Sequence, residues 1–286
     1  MMAFVDFARA HGVEIDRLEQ GDRIYRCPTT DHPRSKNGAY FFDGRRGFVQ
    51  NWETGEPAQW WNDDKATPWS DAEKREWANK QAAAKQLKEK GYADAVKRAA
   101  ALLSTAKQST HPYLVEKGFP EVKTLVSPDG EMLVPMRDQT TNALMGIQVI
   151  KLAPSHREWE KKMIYGMKAK GAVYRIGSRT STETYLVEGY STGLSVDTAL
   201  RLLKLNASVL VCFSAQNLVH VAQNSAGRLF VFADNDESQT GEKVAIATGL
   251  PYVMSDRVGE DANDLHQRVG VMAVAQKILE VRKRPP

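Results

Sequence analysis

Two short stretches constrain the fold of this chain more than any other feature: Thr184–Gly189 (Thr-Tyr-Leu-Val-Glu-Gly) and Leu229–Asp236 (Leu-Phe-Val-Phe-Ala-Asp-Asn-Asp). Each is a β-branched or aromatic apolar run that stops abruptly on carboxylates. A strand buried on both faces of a parallel sheet reads as such a run, and ligands of open α/β sheets sit beyond the C-terminal ends of the strands. Glu188, Asp234 and Asp236 are therefore expected to converge where such a sheet does its chemistry. Clustered carboxylates repel one another unless a cation neutralises them, and hard oxygen ligands suit Mg²⁺. Mn²⁺ is admitted by the same donors. The outline is that of metal-assisted phosphoryl transfer.

The surrounding sequence alternates as a parallel sheet requires. Strand patterns at 184–187, 208–212, 228–233 and 252–254 are separated by helical patterns at 191–204, 216–222 and 241–248. Alternation of this kind implies a parallel sheet covered by helices. Ser191 and Thr192 are good N-cap residues after Gly189. A further acidic knot, Gly259–Asp264, follows the last strand and carries Glu260, Asp261 and Asp264.

Upstream the pattern differs. A short helix over 3–12, stopped by Gly12, precedes short strands at 23–27, 39–42 and 47–52, punctuated by turn residues. Ser70–Glu73 reads as a capping box opening a long polar helical stretch to Lys107, with a break expected at Gly91. Glu131–Arg137 and Met145–Lys151 then flank a polar turn as in a hairpin. The segment Arg157–Arg179 holds seven Lys or Arg against two Glu. Arg137, Lys162, Lys168, Lys170 and Arg175 could neutralise phosphates of a strand or a triphosphate.

The 286-residue chain has a net charge of only +4, so an acidic partner must be argued from local patches. Two distant cysteines, Cys27 and Cys212, exclude a disulfide framework and a Cys₄ site. Neither a signal peptide nor an apolar run of roughly 20 residues is visible, and a cytoplasmic protein without a membrane partner is expected.

Glu-Gly after the first strand, Asp-x-Asp after the third and the later Asp-x-x-Asp knot together resemble the Toprim domain. That domain is shared by DnaG-type primases, type IA and II topoisomerases and some nucleases. The resemblance covers about Thr184 to His266. It implies Glu188 as general acid/base or metal ligand, Asp234 and Asp236 as holders of Mg²⁺, and Asp261 or Asp264 as support for a second ion. Leu133–Asp138 with Gly146–Ile150 resembles the segment preceding Toprim in DnaG-like primases, and Lys161–Gly177 is similar to phage and plasmid primases. In that family the basic half faces template and initiating nucleotides.

Asn37–Glu56 resembles the N-terminal part of conjugative-plasmid (TraC-type) and phage primases, where many members carry a template-contacting zinc ribbon. Here Cys27 and His32 are the only plausible soft ligands, and no zinc is expected. Template contact would rest on stacking, with Trp52, Trp60 and Trp61 as candidates and Phe41 and Phe48 assigned to the core.

The expected class is α/β within an α+β whole. A small β-rich module spans 1–65, a helical connector 66–110, a basic subdomain 111–180 and a Toprim Rossmann-like domain 181–286. The expected activity is primer synthesis on single-stranded DNA from nucleoside triphosphates, in plasmid or phage replication or transfer. A helicase, relaxase or single-strand-binding protein would be the partner. A Toprim nuclease and a non-catalytic strand-binding accessory are the rival readings.

Overall fold

The computed structural model describes residues 3–21, 23–33, 36–63, 71–154 and 158–284. The expected capping box at Ser70–Glu73 lies outside the described residues. The chain divides into two compact units, residues 1–81 and 82–286.

In the first unit, α1 (Phe4–Ala10) precedes four strands: β1 (Tyr25–Cys27), β2 (Gly38–Phe42), β3 (Arg46–Asn51) and β4 (Gln59–Asn62). They form an antiparallel sheet in sequence order. Alternate residues of a strand face opposite sides. Tyr40, Val49, Phe42 and Trp61 thus share one face and pack with Phe4 and Ala8 of α1. The register places Phe41, Phe48 and Trp60 on the other face, in a row across β2, β3 and β4.

α2 (Asp71–Thr105) is one helix. The break expected at Gly91 does not occur. Glycine costs about 1 kcal/mol relative to alanine in a helix interior, and the Ala-, Lys- and Gln-rich flanks carry the helix across it. The last turns supply an apolar stripe: Ala99, Leu102 and Leu103 pack against Leu133 and Ile147.

The rest of the second unit is built on a ten-stranded sheet. β5 (Lys107–Ser109), α3 (Pro112–Glu116) and β6 (Thr124–Val126) lead into the expected hairpin of β7 (Met132–Asp138) and β8 (Leu144–Leu152), to which β9 (Trp159–Met163) is added. β10 (Ala172–Ile176) joins this antiparallel half to a parallel half. That half comprises β11 (Glu183–Val187), α4 (Tyr190–Leu202), β12 (Ala207–Val211), α5 (Ala215–Gln223), β13 (Arg228–Phe232), α6 (Thr240–Thr248) and β14 (Tyr252–Val253). α7 (Ala262–Val269) and α8 (Val271–Arg282) follow. The strand order β14-β13-β11-β12-β10 puts the acid-bearing β11 and β13 side by side and parallel.

Both faces of this half are covered, as its unbroken apolar runs require. Tyr185, Val187, Phe230 and Phe232 pack on one side with Leu194 of α4, Leu265 of α7 and Ile278 of α8. Leu186, Leu210 and Val231 pack on the other with Leu218 and Val221 of α5 and Ala245 of α6. Among the described residues no helix is long and apolar enough to cross a membrane.

At the end of the strands remote from the acids, the start of β11 is pinned by charge. The Glu183 side chain, 6% exposed, accepts from Arg228 Nη1 at 2.8 Å and from Arg282 Nη2 at 2.9 Å. Glu183→Gln leaves two guanidinium groups facing a neutral amide. Because Arg228 is half exposed, the loss is expected to be about 2 kcal/mol, below the full cost of breaking a buried pair. A lower urea midpoint with an unchanged m-value would show it; an unchanged midpoint would mean that the two arginines contribute nothing to docking α8.

Candidate active site

Glu188 follows β11 directly and is half-buried, with its carbonyl accepting from Phe213 N–H at 2.9 Å. Asp234 lies two residues beyond β13, and its Oδ1 is buried without a hydrogen-bond partner. Burial, and then the carboxylates of Asp261, Glu188, Asp236 and Asp264, push the Asp234 carboxyl up to about 7. Glu188 is raised as well, first by burial and then by Asp236. All four other acids given site roles in the sequence thus act on Asp234.

Asp236 behaves differently. Burial works against its charge, but the Ser238 hydroxyl and the N–H groups of Gly241 and Thr240 outweigh it and hold the carboxyl below its usual value. Thr240 N–H donates to Oδ1 at 3.0 Å and Gly241 N–H to Oδ2 at 2.8 Å, so Asp236 serves the exposed N–H groups at the start of α6. Asp261 is the N-cap of α7 and forms a capping box with Asp264. Its Oδ1 accepts from Asn263 and Asp264 N–H, and its Oδ2 from Thr192 Oγ1 at 2.7 Å. Thr192, expected only as a cap residue, thus links the first turn of α4 to the acidic knot.

The donor set fits a hard divalent cation. It is all carboxylate oxygen, and one of those oxygens is buried with nothing to neutralise it. Among the described residues no three His, Cys, Asp or Glu side chains are drawn close enough to grip an ion as they stand.

A basic surface lies around β10. Asn217 donates to the carbonyls of Ala172 and Cys212, each at 2.8 Å, and accepts from Gly171 N–H at 2.7 Å. This ties the loop before β10 to the C-terminal end of β12, the same end that carries Glu188 on β11. Lys168 and Lys170 of that loop line a cavity of about 360 Å³ with His220 and Asn224 of α5. Burial first, and then Lys170 and Lys168, hold the His220 imidazole below its usual value. A neighbouring cavity of about 280 Å³ is lined by Arg137, Arg175 and Arg179, and Asp138 and Gln139 line both. Arg175 is steadied by its Nη1 donating to Ser208 Oγ at 2.8 Å.

Lys162 lies apart. It sits on β9, paired with Glu160 at 3.0 Å, and lines neither cavity. Sequence reading missed His220 and Asn224 as neighbours of the lysines, and Arg179 only closed a charged segment. The three come from two separate segments, α5 with its C-cap and the loop after β10.

In the first unit, Trp60 is 67% exposed and Trp52 38% exposed, with the Arg26 guanidinium 3.7 Å from the Trp52 ring centroid. Trp61 does not join them. Its position in the strand turns it to the core face, 5.5 Å from the Phe4 ring. Phe41 and Phe48, assigned to the core from sequence, instead stack on the other face at 5.9 Å, with Trp60 5.2 Å from Phe48.

Among known proteins, no curated protein matches the chain. A chain of the solved assembly of bacteriophage T7 lagging-strand DNA polymerase with primase domains of two gp4 subunits, an RNA/DNA hybrid and dTTP is similar at 16% identity and a TM-score of 0.40. That match covers 62% of this chain and 91% of the other. The DnaG catalytic core is similar at 13% identity and a TM-score of 0.38, covering 69% of this chain and 72% of the other. Residues 183–271, which carry Glu188, Asp234, Asp236, Asp261 and Asp264, match the family model of the Toprim domain.

Proposed function

We propose that this chain is a DNA primase, making short RNA primers on single-stranded DNA by metal-dependent nucleotidyl transfer. The observation that carries the reading is the buried, unpartnered Asp234 oxygen, whose charge four further carboxylates oppose.

In the proposed reaction a 3′-hydroxyl oxygen bonds to the α-phosphorus of a nucleoside triphosphate, the bond to the β-phosphate oxygen breaks, and pyrophosphate leaves. Glu188, Asp234 and Asp236 would hold Mg²⁺ or Mn²⁺, with Asp261 or Asp264 supporting a second ion. The bound cation supplies charge neutralisation at the entering and leaving oxygens. Glu188, its proton affinity raised by burial, would take the hydroxyl proton. Lys168 and Lys170 would neutralise triphosphate or template phosphates, and Arg137 and Arg175 a further stretch of strand. Such positioning accounts for much of the rate in phosphoryl transfer. Trp52 and Trp60, with Phe41 and Phe48 in place of Trp61, would offer unpaired bases a stacking surface. A helicase, relaxase or single-strand-binding protein would act with the chain in plasmid or phage replication or transfer.

The test is primer synthesis on unprimed single-stranded DNA with labelled ribonucleotides and Mg²⁺. Template-dependent short products are expected from the wild type, and none from Asp234→Ala/Asp236→Ala. Cleavage of the DNA in place of synthesis would make the chain a nuclease, and binding without either reaction would make it an accessory.

A further inference from the structure

Four of the five acids stand on two separate segments, one after β13 and one at the start of α7, and something must fix the spacing between them. The main chains of the two loops meet at Asn235 and Glu260. Asn235 N–H donates to the Glu260 carbonyl at 3.0 Å, and Gly259 N–H to the Asn235 carbonyl at 2.6 Å. Asn235 is the residue between Asp234 and Asp236, and Glu260 is the residue before Asp261. The Asn235 side chain adds a bond from Nδ2 to the Ser255 carbonyl at 2.9 Å.

This junction is locked from beneath by Glu260, which is 9% exposed. Arg268, in the last turn of α7, reaches back along the helix and grips the Glu260 carboxylate with two prongs. Its Nε donates to Oε1 at 2.6 Å and its Nη2 to Oε2 at 2.8 Å. Ser255 Oγ donates to Oε2 at 2.7 Å. A paired fork of this kind fixes direction as well as distance. Glu260 is thus not a sixth member of the acid cluster, although it is adjacent to Asp261 in sequence; its carboxylate is occupied by Arg268 and Ser255.

We infer that the Glu260–Arg268 pair is a positioning device for the metal centre: it sets the distance of Asp234 and Asp236 from Asp261 and Asp264, and thereby the affinity for the divalent cation. The inference rests on the metal-site reading above. Partners that orient metal ligands typically contribute 10- to 100-fold in affinity. Without the arginine the Glu260 carboxylate has only Ser255 and the more distant Arg257, 3.8 Å away, to hold it. The junction is then free to part, and Asp234 and Asp236 relax away from Asp261 and Asp264.

Mn²⁺ binding to the full chain, followed by the loss of free-ion electron paramagnetic resonance signal, tests this without any turnover. Arg268→Gln is expected to weaken binding roughly tenfold or more, and Arg268→Lys, which keeps the charge but not the fork, by less. Arg282→Gln provides the control, since it breaks an ion pair at the far end of the strands; it is expected to lower stability while leaving Mn²⁺ affinity unchanged. Amide exchange at Asn235 should quicken in metal-free Arg268→Gln and stay slow in Arg282→Gln. Wild-type affinity in Arg268→Gln, or an equal loss in Arg282→Gln, would overturn the positioning role. No saturable binding to the wild type would overturn the metal-site reading itself, and the inference with it.

Discussion

Asp234→Asn is expected to make the metal-free protein more stable at neutral pH than the wild type, while abolishing the proposed nucleotidyl transfer. In the native state the Asp234 carboxyl keeps its proton up to about pH 7, because burial and four neighbouring carboxylates oppose its ionisation. In the unfolded chain it ionises near the ordinary aspartate value of 3.8. Between those two values the native state binds more protons than the unfolded one. Stability therefore falls as pH rises from about 4 to about 7, and the deficit is complete above that. A shift of that size corresponds to roughly 4 kcal/mol at most, and solvent access lowers it to on the order of 2–4 kcal/mol. Asparagine keeps the shape and removes the charge. Urea unfolding at pH 5 and pH 8 with chelator present should show the variant gaining on the wild type between the two pH values. Added Mg²⁺ should restore the wild type and leave the variant unmoved. Parallel stability curves for the two proteins would mean that the Asp234 carboxyl is not destabilised by its neighbours.

The legibility of this site in the sequence follows from which forces shape it. Buried parallel strands need unbroken apolar runs, so Thr184–Val187 and Arg228–Ala233 announce both the sheet and the ends at which Glu188 and Asp234 stand. Face assignment in the small antiparallel sheet was not legible in the same way. Trp60 and Trp61 differ by one residue, and a shift of one residue exchanges the faces of a strand. The register with β3 is what puts Trp61 with Phe4 and leaves Phe48 beside Trp60. The roles of Asp261 and Glu260 were hidden for a different reason. Adjacent acids look alike in sequence, and only the path of α7 gives one to a helix cap and the other to Arg268. Lys162 and Lys168 belong to one basic segment, yet one stands on β9 and the other in the turn after it, so charge density alone could not tell the cavity lysine from the paired one.

Gly241→Ala is expected to cost the protein the proposed metal-dependent chemistry while leaving most of the fold standing. The start of α6 passes so close to the end of β13 that a Cβ on Gly241 would lie 2.0 Å from the Asp234 carbonyl oxygen and 3.0 Å from its carbonyl carbon. Both are backbone atoms, so no side chain can swing aside; either the helix or the acid-bearing loop must move. Whichever moves, the bonds from Thr240 and Gly241 N–H that orient Asp236 are stretched, and Asp234 is displaced against Glu188. Overpacking of this kind typically costs about 1–3 kcal/mol in stability, which a domain with two filled cores survives. A displacement on the order of 1 Å at reacting groups costs roughly 100-fold in rate. Gly249→Ala at the other end of the same helix separates the two effects. There the added Cβ meets open space, and the strain comes from a φ of +69°. It should lower stability by about 1 kcal/mol, as glycine-to-alanine changes at left-handed positions do, without touching Mg²⁺ dependence. If Gly241→Ala keeps wild-type Mg²⁺ dependence and rate, the close approach of α6 to Asp234 does not set the geometry of the acids.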